Sequence, residues 1–216
     1  ISILYKDDPN FQFWRKYVVI DTGVKDKTAA IFGHYNYHDK KLVIESMLDL
    51  QGADYNTQRL SIMIKDEVKR LWPGDDYTQG LRYIADSNNL IVINDLNIIY
   101  KLPFVPTSKG RLDEMVQKVR DWVYDERILF APDATEVLNC ARYAIWAKSR
   151  NEFGRSAKYG HYDALAALVY MVRNVDEFTN PVPMRGINHY TQFAMPLNND
   201  QIKNQHSLSS IFRRKQ

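Results

Sequence analysis

Three aspartates fall where a folded chain could bring carboxylates together. Asp21 closes the β-branched and aromatic run over residues 17–20 and is followed by Thr22-Gly23. Asp86 closes a similar run over residues 81–85 and is followed by Ser87-Asn88-Asn89, a natural turn or helix cap. Asp163 sits in Gly160-His161-Tyr162-Asp163-Ala164-Leu165, in the first turn of an apolar helix. Converging carboxylates repel one another and raise each other's pKa values unless a cation offsets them. Hard oxygen ligands suit Mg²⁺ or Mn²⁺, held by one or two carboxylates together with water and phosphate oxygens. Two such ions about 3.5–4 Å apart activate a water and stabilise the leaving oxygen of a phosphodiester. Each aspartate alone has an ordinary explanation, since Asp favours turns and helix starts on backbone grounds. It is the set that points to metal-assisted hydrolysis.

The elements that must position these groups are legible as periodicity. Residues 17–20, 28–37 and 41–50 read as strands, the last two separated by the polar turn His38-Asp39-Lys40, so the chain opens with an antiparallel three-strand meander. Leu60, Ile64, Val68 and Leu71 recur at helical spacing over residues 57–71, and Pro73-Gly74 stops the pattern. A fourth strand is predicted over 81–85, a fifth over 98–105, and a small one over 128–130. Met115, Val119 and Val123, with Trp122, mark one helix; others are predicted over 135–148 and 159–175. This is an α/β order in which the first and fourth strands lie side by side and parallel, joined by a crossover. Ligands gather at the carboxyl ends of such strands, which is where Asp21 and Asp86 fall. Ala164, Ala166 and Ala167 leave little bulk, which lets the last helix approach the sheet closely.

Composition narrows the class. Of 216 residues, 45% are hydrophobic and 25% charged, an ordinary globular balance. No apolar run approaches the roughly 18 residues of a membrane-spanning helix, so a soluble, intracellular protein is expected. The single cysteine, Cys140, excludes an internal disulfide and a multi-cysteine zinc site, and reads as a small core residue. A net charge of +3 is too small to diagnose a nucleic-acid binder, so distribution matters more. Lys148, Arg150, Arg155 and Lys158 cluster before the final helix with Phe153 and Tyr159 among them, and Lys25 and Lys27 flank Asp21's loop. Both groups are candidates for binding a phosphate backbone; a solvated basic loop is the plain alternative. Beyond Phe178 the chain is rich in Pro, Asn and Gln without periodicity, ending in Arg213-Arg214-Lys215.

Val18-Val19-Ile20-Asp21-Thr22-Gly23, Ile84-Ala85-Asp86-Ser87, Pro106-Thr107-Ser108-Lys109 and the stretch from Gly160-His161-Tyr162-Asp163 to Tyr170 resemble the nuclease domain of tailed-bacteriophage terminase large subunits. That family is a branch of the ribonuclease H-like superfamily, and the resemblance extends over residues 17–175. It implies a ribonuclease H-like mixed sheet flanked by helices over residues 1–177, with a partly disordered tail over 178–216. It implies a metal-dependent endonuclease acting on concatemeric double-stranded DNA, with Asp21, Asp86 and Asp163 as ligands of two Mg²⁺ or Mn²⁺ ions. Asp26 matches an accessory acid of some relatives, or is a turn residue between Lys25 and Lys27. His161 would touch the scissile phosphate or a metal-bound water, or serve as a cap or packed side chain. The implied partners are DNA, an ATPase motor domain, the portal and the small terminase, in the host cytoplasm on a procapsid. No Gly-x-x-x-x-Gly-Lys-Ser/Thr pattern is present and the sequence opens on Ile1, which predicts a fragment without its motor. A junction-resolving or transposase-type nuclease, or a non-catalytic DNA- or portal-docking module, are the competing readings.

Overall fold

The structure is a computed structural model and describes residues 6–22, 28–50, 56–74, 80–148, 152–156 and 162–183. By contacts the chain divides into two units, Ile1–Val182 and Pro183–Gln216, and the first holds every element named below. In chain order these are β1 (Arg15–Asp21), β2 (Thr28–Asn36), β3 (Lys41–Leu50), α1 (Thr57–Leu71), β4 (Leu81–Asp86) and α2 (Leu90–Ile98). There follow β5 (Phe104–Thr107), α3 (Leu112–Tyr124), β6 (Ile128–Phe130), α4 (Thr135–Tyr143) and α5 (Asp163–Asn174).

The strands form one sheet in the order β5-β4-β1-β2-β3-β6. β1, β2 and β3 are the antiparallel meander, while β4 runs parallel to β1, β5 parallel to β4, and β6 parallel to β3. The topology is the ribonuclease H-like mixed sheet that the sequence implied. Both faces are covered, which is why β1 reads as a continuous apolar run rather than an alternating one. Strand side chains alternate between faces. Thus Tyr17 and Val19 join Ile84, α3, α4 and α5 in one core, while Val18 and Ile20 join Tyr83, Ala85, α1 and α2 in the other.

α5 is the central element of the first core. All nine residues from 164 to 172 are buried, against β1, β2 and β4 beneath and α3 and α4 beside it. A helix apolar on every side is stable only when enclosed like this. The sheet yields to it at Gly33, where the register of β2 against β3 shifts. A Cβ there would lie 2.5 Å from the Val43 carbonyl oxygen and 3.3 Å from Met171 Sδ of α5, so only glycine fits without displacement.

A polar cluster is buried behind β2 and β3. Glu45 Oε1 lies 2.6 Å from His34 Nδ1 and accepts from Trp72 Nε1 at 2.7 Å, while Lys6 Nζ stands 3.1 Å from Oε2. Burial holds the His34 imidazole below its usual pKa, against the pull of Glu45. Burial alone would raise Glu45, but His34, Trp72 and Lys6 outweigh it and keep the carboxyl below its usual range.

Several predicted elements are corrected. The strand expected over 98–105 is instead the end of α2, a loop, and β5. The β-branched run after Asn89 is helical: the Asn89 side chain accepts from Val92 N at 3.4 Å and caps it, and Val92, Ile93 and Leu96 pack inward. Asn97 then clasps Phe104, donating to its carbonyl at 2.9 Å and accepting from its N–H at 2.6 Å, which starts the edge strand. On α3 the buried residues are Val116, Val119 and Trp122, whereas Val123 is 44% exposed, so the inward face is rotated from the one expected. α4 stops at Tyr143 rather than at 148, because Ala144 turns extended and Trp146 pairs with Phe153 as an antiparallel bridge, their rings stacked. α5 begins at Asp163 rather than at 159, for a reason given below.

Gly33→Ala is expected to lower the unfolding free energy by roughly 1–3 kcal/mol, the usual cost of overpacking, without changing the fold. Urea unfolding followed by circular dichroism measures this; a loss within error of zero would show that β2 and β3 part easily at the bulge.

Candidate active site

The site begins with register. Ile20 of β1 pairs with Ala85 of β4 in the parallel ladder, so Asp21 and Asp86, one residue further along each, leave the sheet side by side. Alternation puts both on the face of Val19 and Ile84, the face α5 covers. Asp21 is 9% exposed and Asp86 1%, so the two carboxylates are taken almost wholly out of water.

Asp163 comes from the opposite layer. Tyr162, immediately before it, adopts the left-handed conformation at φ 61°, uncommon for a residue with a Cβ. Its buried ring and a hydrogen bond from its hydroxyl to the Tyr143 carbonyl, 2.9 Å, hold that turn. The helix therefore starts at Asp163, which stands half-buried in its first turn. Strained backbone of this kind collects at functional positions.

The three acids share one electrostatic environment. Burial first, then the charges of Asp86 and Asp163, push the Asp21 carboxyl up to about 8, with Lys109 opposing and a hydrogen bond to Asp86 reinforcing the rise. The buried pair therefore favours one proton shared between Asp21 and Asp86. On α5, Tyr170 is held well above the usual phenol value by burial and then by Asp21, Asp86 and Asp163 in turn, so its hydroxyl stays a neutral donor beside them. Asp86 also accepts from Asn88 N at 3.3 Å and receives the Lys109 ammonium on Oδ2 at 2.7 Å.

The donor set fits a hard divalent cation. It offers carboxylate oxygens with neither sulfur nor imidazole described among them, and a shared proton and an ammonium already supply the positive charge that the acids require. Among the described residues, no group of three or more Asp, Glu, His or Cys side chains stands close enough together to hold a metal ion. An ion held here would complete its coordination with water or substrate oxygens, as magnesium usually does.

Of the residues singled out from sequence, Asp21 and Asp86 lie side by side, and Asp163 is near enough for its charge to act on Asp21. Lys148 and Arg155 are exposed on the segment that carries the Trp146–Phe153 bridge. His161, Asp26, Lys25, Lys27, Arg150 and Lys158 lie outside the described residues. Lys109 and Tyr170 stand at the site although the sequence alone assigns neither a role. A loop lysine carries no periodicity, and a tyrosine within an apolar helix looks like packing.

The mixed sheet, with Asp21 and Asp86 at the ends of its neighbouring parallel strands, has the ribonuclease H-like fold. Solved structures that share it include large terminases. One is a large terminase from a thermophilic bacteriophage, with TM-score 0.59 and 15% identity over 74% of this chain and 40% of that one. A second is the nuclease domain of the bacteriophage SPP1 large terminase with bound Mn, with TM-score 0.54 and 17% identity over 76% of this chain and 88% of that one. A third is the large terminase nuclease from thermophilic phage G20c with bound magnesium, with TM-score 0.53 and 13% identity over 76% of this chain and 82% of that one. This chain thus spans less than half the length of the first of these and most of the length of the two separate nuclease domains. No protein-family model matches the chain, and no curated protein matches it in sequence.

The raised Asp21 pKa has a consequence for stability. The folded state retains a proton that the unfolded chain releases, so this contribution is full below about pH 4 and is lost as pH rises through about 8. In metal-free protein the melting temperature should fall across that interval, and Asp21→Asn should flatten the decline. A profile identical in the two proteins would show that Asp21 does not hold the proton.

Proposed function

We propose that this chain is the nuclease domain of a phage large terminase, a divalent-metal-dependent endonuclease that cuts concatemeric double-stranded DNA during packaging. The observation that carries this reading is the meeting of Asp21 and Asp86 on adjoining parallel strands with Asp163 at the head of the helix above them. Bound Mn and magnesium in the SPP1 and G20c domains support the choice of metal.

Asp21, Asp86 and Asp163 would hold the metal, and Asp21 gives up its proton as it becomes a ligand. A pair of Mg²⁺ or Mn²⁺ ions supplies an activated water and stabilises the leaving oxygen of the phosphodiester. Tyr170 contributes a neutral hydroxyl beside the acids, able to donate to an anionic oxygen. Asp26 is an accessory acid and His161 a contact to the phosphate or to a metal-bound water. Lys148, Arg150, Arg155 and Lys158, with Lys25 and Lys27, form the surface for the phosphate backbone; such contacts weaken with salt and confer little sequence preference. In the complete protein the domain works with an ATPase motor, the portal and the small terminase, in the host cytoplasm. In this reading residues 1–177 are the nuclease domain and residues 178–216 its C-terminal tail.

Purified protein with Mn²⁺ or Mg²⁺ should nick and linearise plasmid DNA. Asp86→Asn, nearly the same size and shape, should slow this by at least about a hundredfold, since metal-borne charge stabilisation is worth several kcal/mol. Cutting at the parental rate by Asp86→Asn would rule out the assignment. A strong preference for four-way junctions over linear duplex would move the chain to the resolving enzymes.

A further inference from the structure

Lys109 is placed on the acid centre by a built loop. Thr107 pairs with Asp86 in the β4–β5 ladder, and its Oγ1 accepts from Asn174 Nδ2 at 2.9 Å. Two residues beyond Lys109 in the other direction, Arg111 turns left-handed at φ 59° and opens α3. Between these points the Gly110 carbonyl accepts from Arg173 Nη1 at 2.7 Å, and Gly110 N donates to Ser108 Oγ at 3.1 Å. The chain on both sides of Lys109 is therefore tied to the last two residues of α5, by the Thr107 side chain on one side and the Gly110 carbonyl on the other.

The side chain spans two environments. The Lys109 side chain is 41% exposed while the side chain of Asp86, whose Oδ2 it meets at 2.7 Å, is 2% exposed, so the ammonium reaches inward from a solvated stem. An ammonium is a compact, strongly hydrated charge on a flexible chain, suited to leaving one partner for another. It competes with a divalent ion for Oδ2, because two positive charges brought to one carboxylate oxygen repel each other.

We infer that Lys109 is the exchangeable counter-ion of the acid centre: it surrenders Asp86 Oδ2 to the divalent cation and turns its ammonium to a non-bridging phosphate oxygen of the bound strand. The inference rests on the metal-centre reading above. Lys109 thereby couples metal loading to substrate contact, since the charge displaced by the first becomes available for the second. The opposing possibility is a permanent structural ion pair.

Mn²⁺ titration of the whole chain without DNA, followed by the paramagnetic resonance of free Mn²⁺, separates the two. Lys109→Met should bind Mn²⁺ on the order of tenfold more tightly, because a competing positive charge is gone. Lys109→Arg, which keeps the charge, should stay near the parent. At saturating Mn²⁺, plasmid cleavage by Lys109→Met should fall on the order of a hundredfold, the usual loss of one oxyanion donor. Unchanged or weaker Mn²⁺ binding by Lys109→Met, with parental thermal unfolding, overturns the exchange; cleavage at the parental rate overturns the phosphate contact. If Lys109→Met unfolds early, Lys109→Gln carries the same comparison. Asp86→Asn is the reference: parental Mn²⁺ affinity in that variant means the metal-centre reading itself has failed and takes this proposal with it.

Discussion

Asp21 and Asp86 lie beneath a helix with almost no access to water, and negative charge confined in this way must be offset by something positive. The rest of the first core can be understood from that requirement. Parallel pairing of β1 with β4 brings the two acids together, and the buried alanines of α5 let the helix close over them. Once closed, the pocket stabilises a proton on Asp21 and an ammonium on Asp86, the charges within reach of the chain's own groups. Tyr170 keeps its proton under the same field. Under the proposed function, a divalent ion would take over the compensation that the proton and the ammonium supply here.

The framework that holds the centre uses a different kind of contact at its margin. Glu177 accepts from Arg127 Nη2 at 2.6 Å and from Lys118 Nζ at 3.0 Å, while both cations lie over the Trp122 ring. Arg15 reaches Asp176 at 3.2 Å. These pairs join the segment after α5 to α3 and to the start of β1, and they fix the end of the helix that carries Tyr170, Arg173 and Asn174. Half-exposed pairs are individually weak. Clustered around one indole, they define where the helix must end more than they add to stability.

Much of this was legible in the sequence because two periodicities carry it. The meander, α1 from Thr57 to Leu71 and the short β6 follow from alternation and from helical spacing, and the three aspartates follow from where those runs stop. What the sequence concealed has particular causes. Residues 90–93 are Leu-Ile-Val-Ile, a composition typical of strands, yet the Asn89 cap and the packing of Leu96 make them a helix. Trp146 and Phe153 meet across a bridge that no local pattern announces, and this shortens α4. The start of α5 depends on one left-handed tyrosine whose conformation is fixed by a carbonyl nineteen residues earlier in the chain. Lys109 has the same character: its partner is a long-range one, visible only when β5 is laid against β4.

The enclosure of α5 bears on how the domain opens as well as on what it binds. A helix surrounded by three strands and two other helices has no route to solvent short of dissolving the whole first core, so its amides should be among the slowest to exchange with heavy water. The third acid and the tyrosine beside it ride on that element. Local fraying at the sheet edges, where β5 and β6 are only four and three residues long, would leave the helix in place. Asp163 and Tyr170 are therefore carried by a part of the fold expected to open late, whereas Lys109, on the loop after the edge strand β5, is exposed to breathing of the periphery.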